Sequence, residues 1–216
     1  MGIKGGQKEG GAYGLRCSWK DIVLITVLLL AGSGLYAASP LPQVDTVSPD
    51  AYGSLWIEAS NQFEVQGKNE CTGFAVAYVL RHFGVDVTGR KTYDAIKFKL
   101  PSGRVLPRGP VNELRRHGMQ VQVYTGTLDT LKARLSQGYP VIVVTGNRLK
   151  WMHYSVLVGY DGPSRELHIY DPEMTEDTNG RAPGNRTMTE EQFLRLWNTH
   201  LPGFRHVYIV CRPQGQ

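Results

Sequence analysis

The sequence predicts an α+β domain in which helices come first and a mostly antiparallel sheet follows. The helical part is indicated by apolar residues spaced along one helix face, at Val76, Val79, Leu80 and Phe83. The sheet is indicated by the alternating residues of Met119–Tyr124 and by the β-branched run Pro140–Val144. Two further strands, His153–Tyr160 and Glu166–Tyr170, flank an Asp-Gly turn and predict a β-hairpin.

Length and composition are those of one globular domain with a terminal segment. The chain has 216 residues, 41% of them apolar and 20% charged, so most of it is expected to fold. The net charge of +5 is modest and the basic residues are scattered, so nucleic acid is not predicted as a partner. Because no Cys-x-x-Cys pair and no Cys/His cluster has zinc spacing, no metal or other cofactor is predicted.

The first 38 residues have the features of an export signal. Residues 1–20 form a basic, glycine-rich tail, and residues 21–38 contain an uncharged, mostly apolar run. This run predicts a signal peptide or a signal-anchor helix, with a buried core helix as a third alternative. Both membrane interpretations place the domain outside the cytoplasm, either secreted or anchored in the membrane by this segment. In the anchored case Cys17 could be acylated, and the alternative is an inert thiol.

Proline and glycine divide the rest of the chain. Residues 39–52 are predicted to be an extended, proline-containing linker, and residues 53–216 the folded domain. A lead-in at Trp56-Ile57 is expected to pack on this domain. Helices are predicted over Thr92–Leu100 and from Pro110 to His117, since proline suits the first turn of a helix.

After the hairpin the sequence predicts a loop, a helix and a last strand. Pro172–Arg186 is polar and contains glycine and proline, which is typical of a long loop. Thr189 and Gln192 form a capping box that opens a helix. The apolar residues of His206–Cys211 then predict the closing strand.

Cys71 lies at the predicted start of a helix, directly after a polar stretch. Unpaired N–H groups and the helix dipole favour a thiolate over a thiol at this position. A thiolate is the nucleophile of cysteine enzymes, so Cys71 is a candidate nucleophile. A buried structural thiol and a disulfide with Cys211 are the alternatives, although Cys211 ends an apolar strand where a cysteine is usually a small buried hydrophobe.

His153 begins one strand of the predicted hairpin, and Asp171 follows the other. In an antiparallel hairpin the start of the first strand lies beside the end of the second, so these two side chains should be close. A carboxylate can hold a histidine in position to act as a general base. Two alternatives stay open: Asp171 could simply form an Asp-Pro turn, and Asn147 could replace it as the orienting residue.

Taken together, these motifs resemble the double-glycine (bacteriocin) leader peptidase family, peptidase C39-like, a branch of the papain-like cysteine peptidases. The resemblance extends over residues 66–211. It rests on three stretches, Gln66-x4-Cys71, His153-Tyr-Ser-Val-Leu-Val-Gly-Tyr-Asp161 and Ile169-Tyr-Asp171-Pro172. It implies the papain-like cysteine peptidase fold, with N-terminal helices packed on a mostly antiparallel sheet.

The resemblance also implies a role for each candidate residue. Cys71 would be the nucleophile, His153 the general base and Asp171 the orienting acid. Gln66 would contribute to the oxyanion hole, with Gln62 as the alternative.

The implied activity is hydrolysis of peptide or amide bonds through a Cys-His-Asp triad and a thioester acyl-enzyme, with a peptide or protein as substrate. An acyltransferase with the same triad and a non-catalytic peptide-binding module are the alternatives.

Members of this family often have a glycine directly after the nucleophile, whereas here Thr72 precedes Gly73, so the substrate groove is expected to differ. They are also generally joined to a cytoplasmic ABC exporter. This sequence contains no Walker-type loop, so double-glycine leaders are not predicted as its substrates.

Overall fold

The structure, a computed structural model, describes residues 18–47, 53–57, 62–97, 99–147, 151–174, 184–200 and 203–215. Contacts divide the chain into two compact units, residues 1–35 and 36–216. Helix α1, Trp19–Ala38, contains the apolar run and the last two residues of the predicted tail, whereas residues 1–17, Cys17 among them, lie outside the described residues. Within the described ranges, no helix combines the length and the apolar character needed to cross a membrane.

The described residues of the second unit form five helices and eight strands. The helices are α2 (Cys71–His82), α3 (Gly89–Ala95), α4 (Arg108–Arg116), α5 (Leu128–Leu135) and α6 (Glu190–Trp197). The strands are β1 (Gln43–Val44), β2 (Ser54–Trp56), β3 (Met119–Thr125), β4 (Val141–Asn147), β5 (Trp151–Asp161), β6 (Glu166–Tyr170), β7 (Arg186–Thr189) and β8 (Val207–Pro213).

All eight strands belong to one sheet, with the order β1-β3-β8-β4-β5-β6-β7 and with β2 paired to β5. Only the pairing of β1 with β3 is parallel among these strands, and the others are antiparallel. The predicted α+β class and the mostly antiparallel sheet are therefore confirmed. The predicted hairpin is also confirmed, since β5 and β6 pair from Asp161 with Glu166 to Val156 with Tyr170.

Helices cover both faces of the sheet. On β4, Ile142 and Val144 pack into a core that includes α2 and α4, while Val141 and Val143 pack into a second core with α5 and α6. Alternate residues of a strand point to opposite faces, so a central strand covered on both faces must be apolar throughout. This explains the continuous β-branched run that predicted β4.

Helix α2 runs through the first core, and every residue from Cys71 to Leu80 is buried. Gly73 permits the close approach of α3, because a Cβ there would lie 2.3 Å from the Cβ of Tyr93. Such contacts hold α2 rigidly between α3 and the sheet. Cys71 therefore starts a fixed element rather than a mobile loop.

Two predicted helices have different bounds in the structure. The helix expected from Pro110 to His117 is α4, which begins two residues earlier, at Arg108. The weak helix expected over Thr92–Leu100 is α3, which begins earlier because the Thr88 side chain accepts a hydrogen bond from the Lys91 N–H. It ends at Ala95, since Ile96 has extended backbone angles. The sequence analysis missed the N-cap and extended the helix into the following loop.

Two predicted irregular segments contribute short strands. The linker 39–52 supplies β1, and beyond it the buried Asp45 accepts hydrogen bonds from Arg134 and from the Tyr208 hydroxyl. The loop predicted over residues 172–186 ends where β7 begins, and residues 175–183 lie outside the described part. Both strands are too short to show a periodic pattern. The lead-in is confirmed, since β2 pairs with β5 and Ile57 is buried.

Candidate active site

Cys71 begins α2, and the start of this helix has no side-chain cap. The residue before it, Glu70, instead accepts a hydrogen bond from the Gly67 N–H at 3.0 Å and pairs with Arg90 at 2.6 Å. No capping side chain therefore competes for the N–H groups at the start of α2, which carries the positive end of the helix dipole. This arrangement stabilises an anion, whether a thiolate or a developing oxyanion.

His153 lies in β5 and is 4% exposed. Its Nε2–H donates to Oδ1 of Asp171 at 2.8 Å, as the position of the two residues in the hairpin predicted. A side-chain hydrogen bond also joins His153 to Cys71. Since Asp171 occupies Nε2, the ring nitrogen facing the thiol is Nδ1.

Opposing effects act on the pKa of His153. Burial alone lowers the pKa, because surroundings of low polarity disfavour the imidazolium. The hydrogen bonds and charges of Asp171 and Cys71 outweigh burial and raise the pKa to about 10. The imidazolium form of His153 is therefore favoured at this position.

Asp171 is 1% exposed, and its side chain is fully engaged. Oδ1 accepts from His153 and from the Glu173 N–H at 3.0 Å, while Oδ2 accepts from Nη1 of Arg186 at 2.6 Å. Burial alone raises the pKa of this carboxyl, but these partners lower it to about 2. Asp171 is therefore a permanent carboxylate that faces the histidine.

Asn185 holds the backbone of the same residue. Its Oδ1 accepts from the Asp171 N–H at 2.7 Å, and its Nδ2 donates to the Asp171 carbonyl at 2.9 Å. Neither Asn185 nor Arg186 was predicted from the sequence as part of the site. They follow a polar segment without periodicity, and only the pairing of β7 with β6 brings them to Asp171.

Gln66 is held beside the same segment. Its N–H donates to the Pro172 carbonyl at 2.8 Å, and its Nε2 donates to Oε1 of Glu173 at 3.3 Å. An amide nitrogen carries two donor hydrogens, so one remains for another acceptor. The alternative residue, Gln62, lies instead beside Arg81, whose guanidinium donates to the backbone carbonyl of Gln62 at 2.9 Å.

A small cavity joins these groups. Its volume is about 20 Å³, room for about one water molecule, and Gln66, Cys71 and His153 line it. Thr72, which separates the cysteine from Gly73, is buried and lines the same cavity. The departure from the usual Cys-Gly sequence therefore lies directly beside the candidate nucleophile.

Two alternatives from the sequence remain to be compared with the structure: a disulfide between Cys71 and Cys211, and Asn147 as the orienting residue. Cys71 and Cys211 are both free, so the disulfide alternative is wrong. Cys211 is 2% exposed, and burial raises its pKa to about 12, which makes it unreactive. Asn147 ends β4 in register with Trp151, and its side chain lies outside the described part of the structure.

A metal ion does not fit the arrangement well. His153, Asp171 and Glu173 offer ligand atoms within 4.8 Å of one another. However, Asp171 already accepts from His153 and from Arg186, and the nearby guanidinium repels a cation. These residues suit a proton-transfer pair better than a metal centre.

A helix that begins with a cysteine and faces a histidine–carboxylate pair on an antiparallel sheet defines the papain-like cysteine peptidase fold. The chain belongs to the Peptidase_C39 like family, whose model matches residues 55–200.

Solved structures agree with this fold. A C39-like peptidase from Bacillus anthracis is 18% identical with a TM-score of 0.55, and the match covers 74% of this chain and 98% of that one. The peptidase domain of Streptococcus ComA, a bifunctional ABC transporter of a quorum-sensing pathway, is 18% identical with a TM-score of 0.52. That match covers 76% of this chain and 100% of the other. No curated protein sequence matches the chain at a significant level.

Proposed function

We propose that this protein is a cysteine peptidase that uses Cys71 as nucleophile, His153 as general base and Asp171 as orienting acid. One observation carries the proposal. The buried hydrogen bond between His153 and Asp171 lies next to a cysteine at the uncapped start of α2. Membership of a peptidase family supports the same chemistry.

Acylation begins when the Cys71 thiolate attacks the carbonyl carbon of the substrate. The electron pair of the carbonyl moves to oxygen, and the Cys71 N–H and the remaining N–H of Gln66 stabilise this oxyanion. His153 then gives its Nδ1 proton to the leaving nitrogen as the C–N bond breaks. The products of this step are a free amine and a thioester on Cys71.

Deacylation reverses the roles of the same groups. The neutral His153 takes a proton from a water molecule, and the hydroxide attacks the thioester carbonyl. The C–S bond then breaks, which releases a carboxylic acid and restores the thiolate–imidazolium pair. Asp171 stays ionised throughout and holds the ring in one orientation.

The experiment is incubation of the full chain with a mixed-sequence peptide library, followed by mass spectrometry of the products. We expect new peptide termini with the native protein and with the Cys211→Ala variant, in which the unreactive cysteine is changed. Cys71→Ala should produce none. An undiminished product pattern with Cys71→Ala would refute the proposal.

Two other outcomes identify the alternatives. If products form only when hydroxylamine is added, and all of them are hydroxamates, the protein is an acyltransferase with the same triad. If no product forms and iodoacetamide labels Cys71 no faster than an ordinary thiol, the fold serves as a non-catalytic peptide-binding module.

A further inference from the structure

The chain of charged contacts at the site does not end at Asp171. Oδ2 of this carboxylate faces away from the histidine and accepts from Nη1 of Arg186 at 2.6 Å. The Asp171 side chain is 2% exposed and that of Arg186 is 27% exposed. The guanidinium therefore spans from the solvent to a buried carboxylate.

The sheet fixes this contact. Arg186 begins β7, where it is in register with Ile169 of β6. Asp171 directly follows β6, and the Asn185 side chain binds both its backbone N–H and its backbone carbonyl. The pairing of β6 with β7 therefore holds the backbones of both partners in place.

A buried carboxylate must be paired, or it takes up a proton. Among the described residues, the charged side chains that contact Asp171 are the imidazole of His153 and the guanidinium of Arg186. The Tyr170 hydroxyl is near enough to feel the Asp171 charge, but it donates to the Glu64 carbonyl. Glu173 adds its N–H to Oδ1, and its carboxylate lies 3.9 Å from Nδ1 of His153. Arg186 is the permanent cation in this set, because the charge of His153 depends on its proton.

We propose that Arg186 is a positioning residue that keeps Asp171 ionised and turned toward His153. It acts through Asp171 and does not touch the substrate. This inference rests on the proposed function for its effect on turnover. Its effect on the thiolate–imidazolium pair can be measured without any substrate.

Two effects follow from loss of the guanidinium. Asp171 would lose one of the groups that lower its pKa, so burial would raise that pKa, typically by about one to three pH units for a lost arginine partner. Oδ2 would also lack a partner, so the carboxylate could rotate away from Nε2 of His153. Both effects weaken the imidazolium at acidic pH.

The test compares three variants of the full chain by the rate of iodoacetamide alkylation of Cys71 between pH 4 and pH 9. Arg186→Gln removes the charge, and Arg186→Lys keeps it. Arg195→Gln is the matched control. Arg186 and Arg195 line one surface groove, but Arg195 is 73% exposed and, among the described residues, pairs only with Glu191.

We expect Arg186→Gln to slow alkylation at pH 4 by up to about tenfold, because a rise of three pH units from about 2 would leave only about a tenth of Asp171 ionised there, and to leave the rate at pH 9 unchanged. Arg186→Lys should restore most of the rate at pH 4, and Arg195→Gln should match the native protein. Circular dichroism and thermal unfolding show whether each variant is folded.

A folded Arg186→Gln variant with the native rate and pH profile would overturn the inference. A lower melting temperature with an unchanged profile would overturn it as well, because it would leave only a structural role. These results differ from failure of the proposed function, in which Cys71 of the native protein would already react like an ordinary thiol.

Discussion

Replacing Asp171 by alanine tests the connection between the base and the nucleophile. The carboxylate accepts from Nε2 of His153 at 2.8 Å, and both residues are buried. When this carboxylate is removed, less remains to counteract the effect of burial, so the pKa of His153 falls. The imidazolium is then less favoured, and the ion pair that it forms with Cys71 is weakened.

The size of the effect follows from the pKa of His153. Its increase from 6.5 to about 10 corresponds to on the order of 5 kcal/mol in favour of the imidazolium. Asp171 and Cys71 share this stabilisation. If Asp171 carries half of it, its loss changes the protonation equilibrium by about a hundredfold. Turnover should fall by on the order of a hundredfold or more, as in triads that lose the orienting acid.

The assay is the rate of iodoacetamide alkylation of Cys71 at pH 5–10, with peptide-bond cleavage measured in parallel. The native protein should react rapidly at mildly acidic pH, where an ordinary thiol with a pKa near 8.5 is inert. Asp171→Ala and His153→Ala should both react slowly there. All three should converge above about pH 9, where an ordinary thiol is ionised.

Asn147→Ala is the matched control, because Asn147 is the alternative orienting residue. It should keep the native pH profile and most of the turnover. If Asn147→Ala loses more turnover than Asp171→Ala, the orienting residue has been misassigned. If Asp171→Ala reacts at pH 5 as fast as the native protein, the ion-pair mechanism itself is wrong.

Two further predictions concern the fold and the location of the domain. Gly73→Ala would place a Cβ 2.3 Å from that of Tyr93, so we expect a cost of about 3 kcal/mol and a melting temperature lower by roughly 6–12 °C. Gly53→Ala, which meets nothing within 4 Å, should be nearly neutral in the same thermal scan. Because a basic tail precedes the apolar run of residues 22–38, reporter enzymes fused after Pro42 should be active outside the cytoplasm; activity confined to the cytoplasm would refute export.

The elements that could be predicted from the sequence are those whose signal is local. Periodicity located α2 and β3, a continuous β-branched run located β4, and the Asp-Gly turn located the hairpin. The hairpin then brought His153 and Asp171 together, although 17 residues separate them in the sequence. This inference needed only antiparallel pairing, because the start of one strand must lie beside the end of the next.

The remaining contacts depend on which strand pairs with which, and no local signal reports that. Arg186 reaches Asp171 because β7 pairs with β6 after a long polar segment. Asp45 is buried because β1 pairs with β3, about 80 residues further along the chain. A single sequence shows neither pairing, since both strands are short and polar.

Two separate parts of the fold position the candidate site. Cys71 depends on α2, whose position is set by Gly73 and by the first core. Asp171 depends on the edge of the sheet, through Asn185 and Arg186. A disturbance of β7 should therefore change the pH at which Cys71 reacts without moving the cysteine itself, whereas a disturbance of α2 should move the nucleophile and leave the His153–Asp171 pair intact.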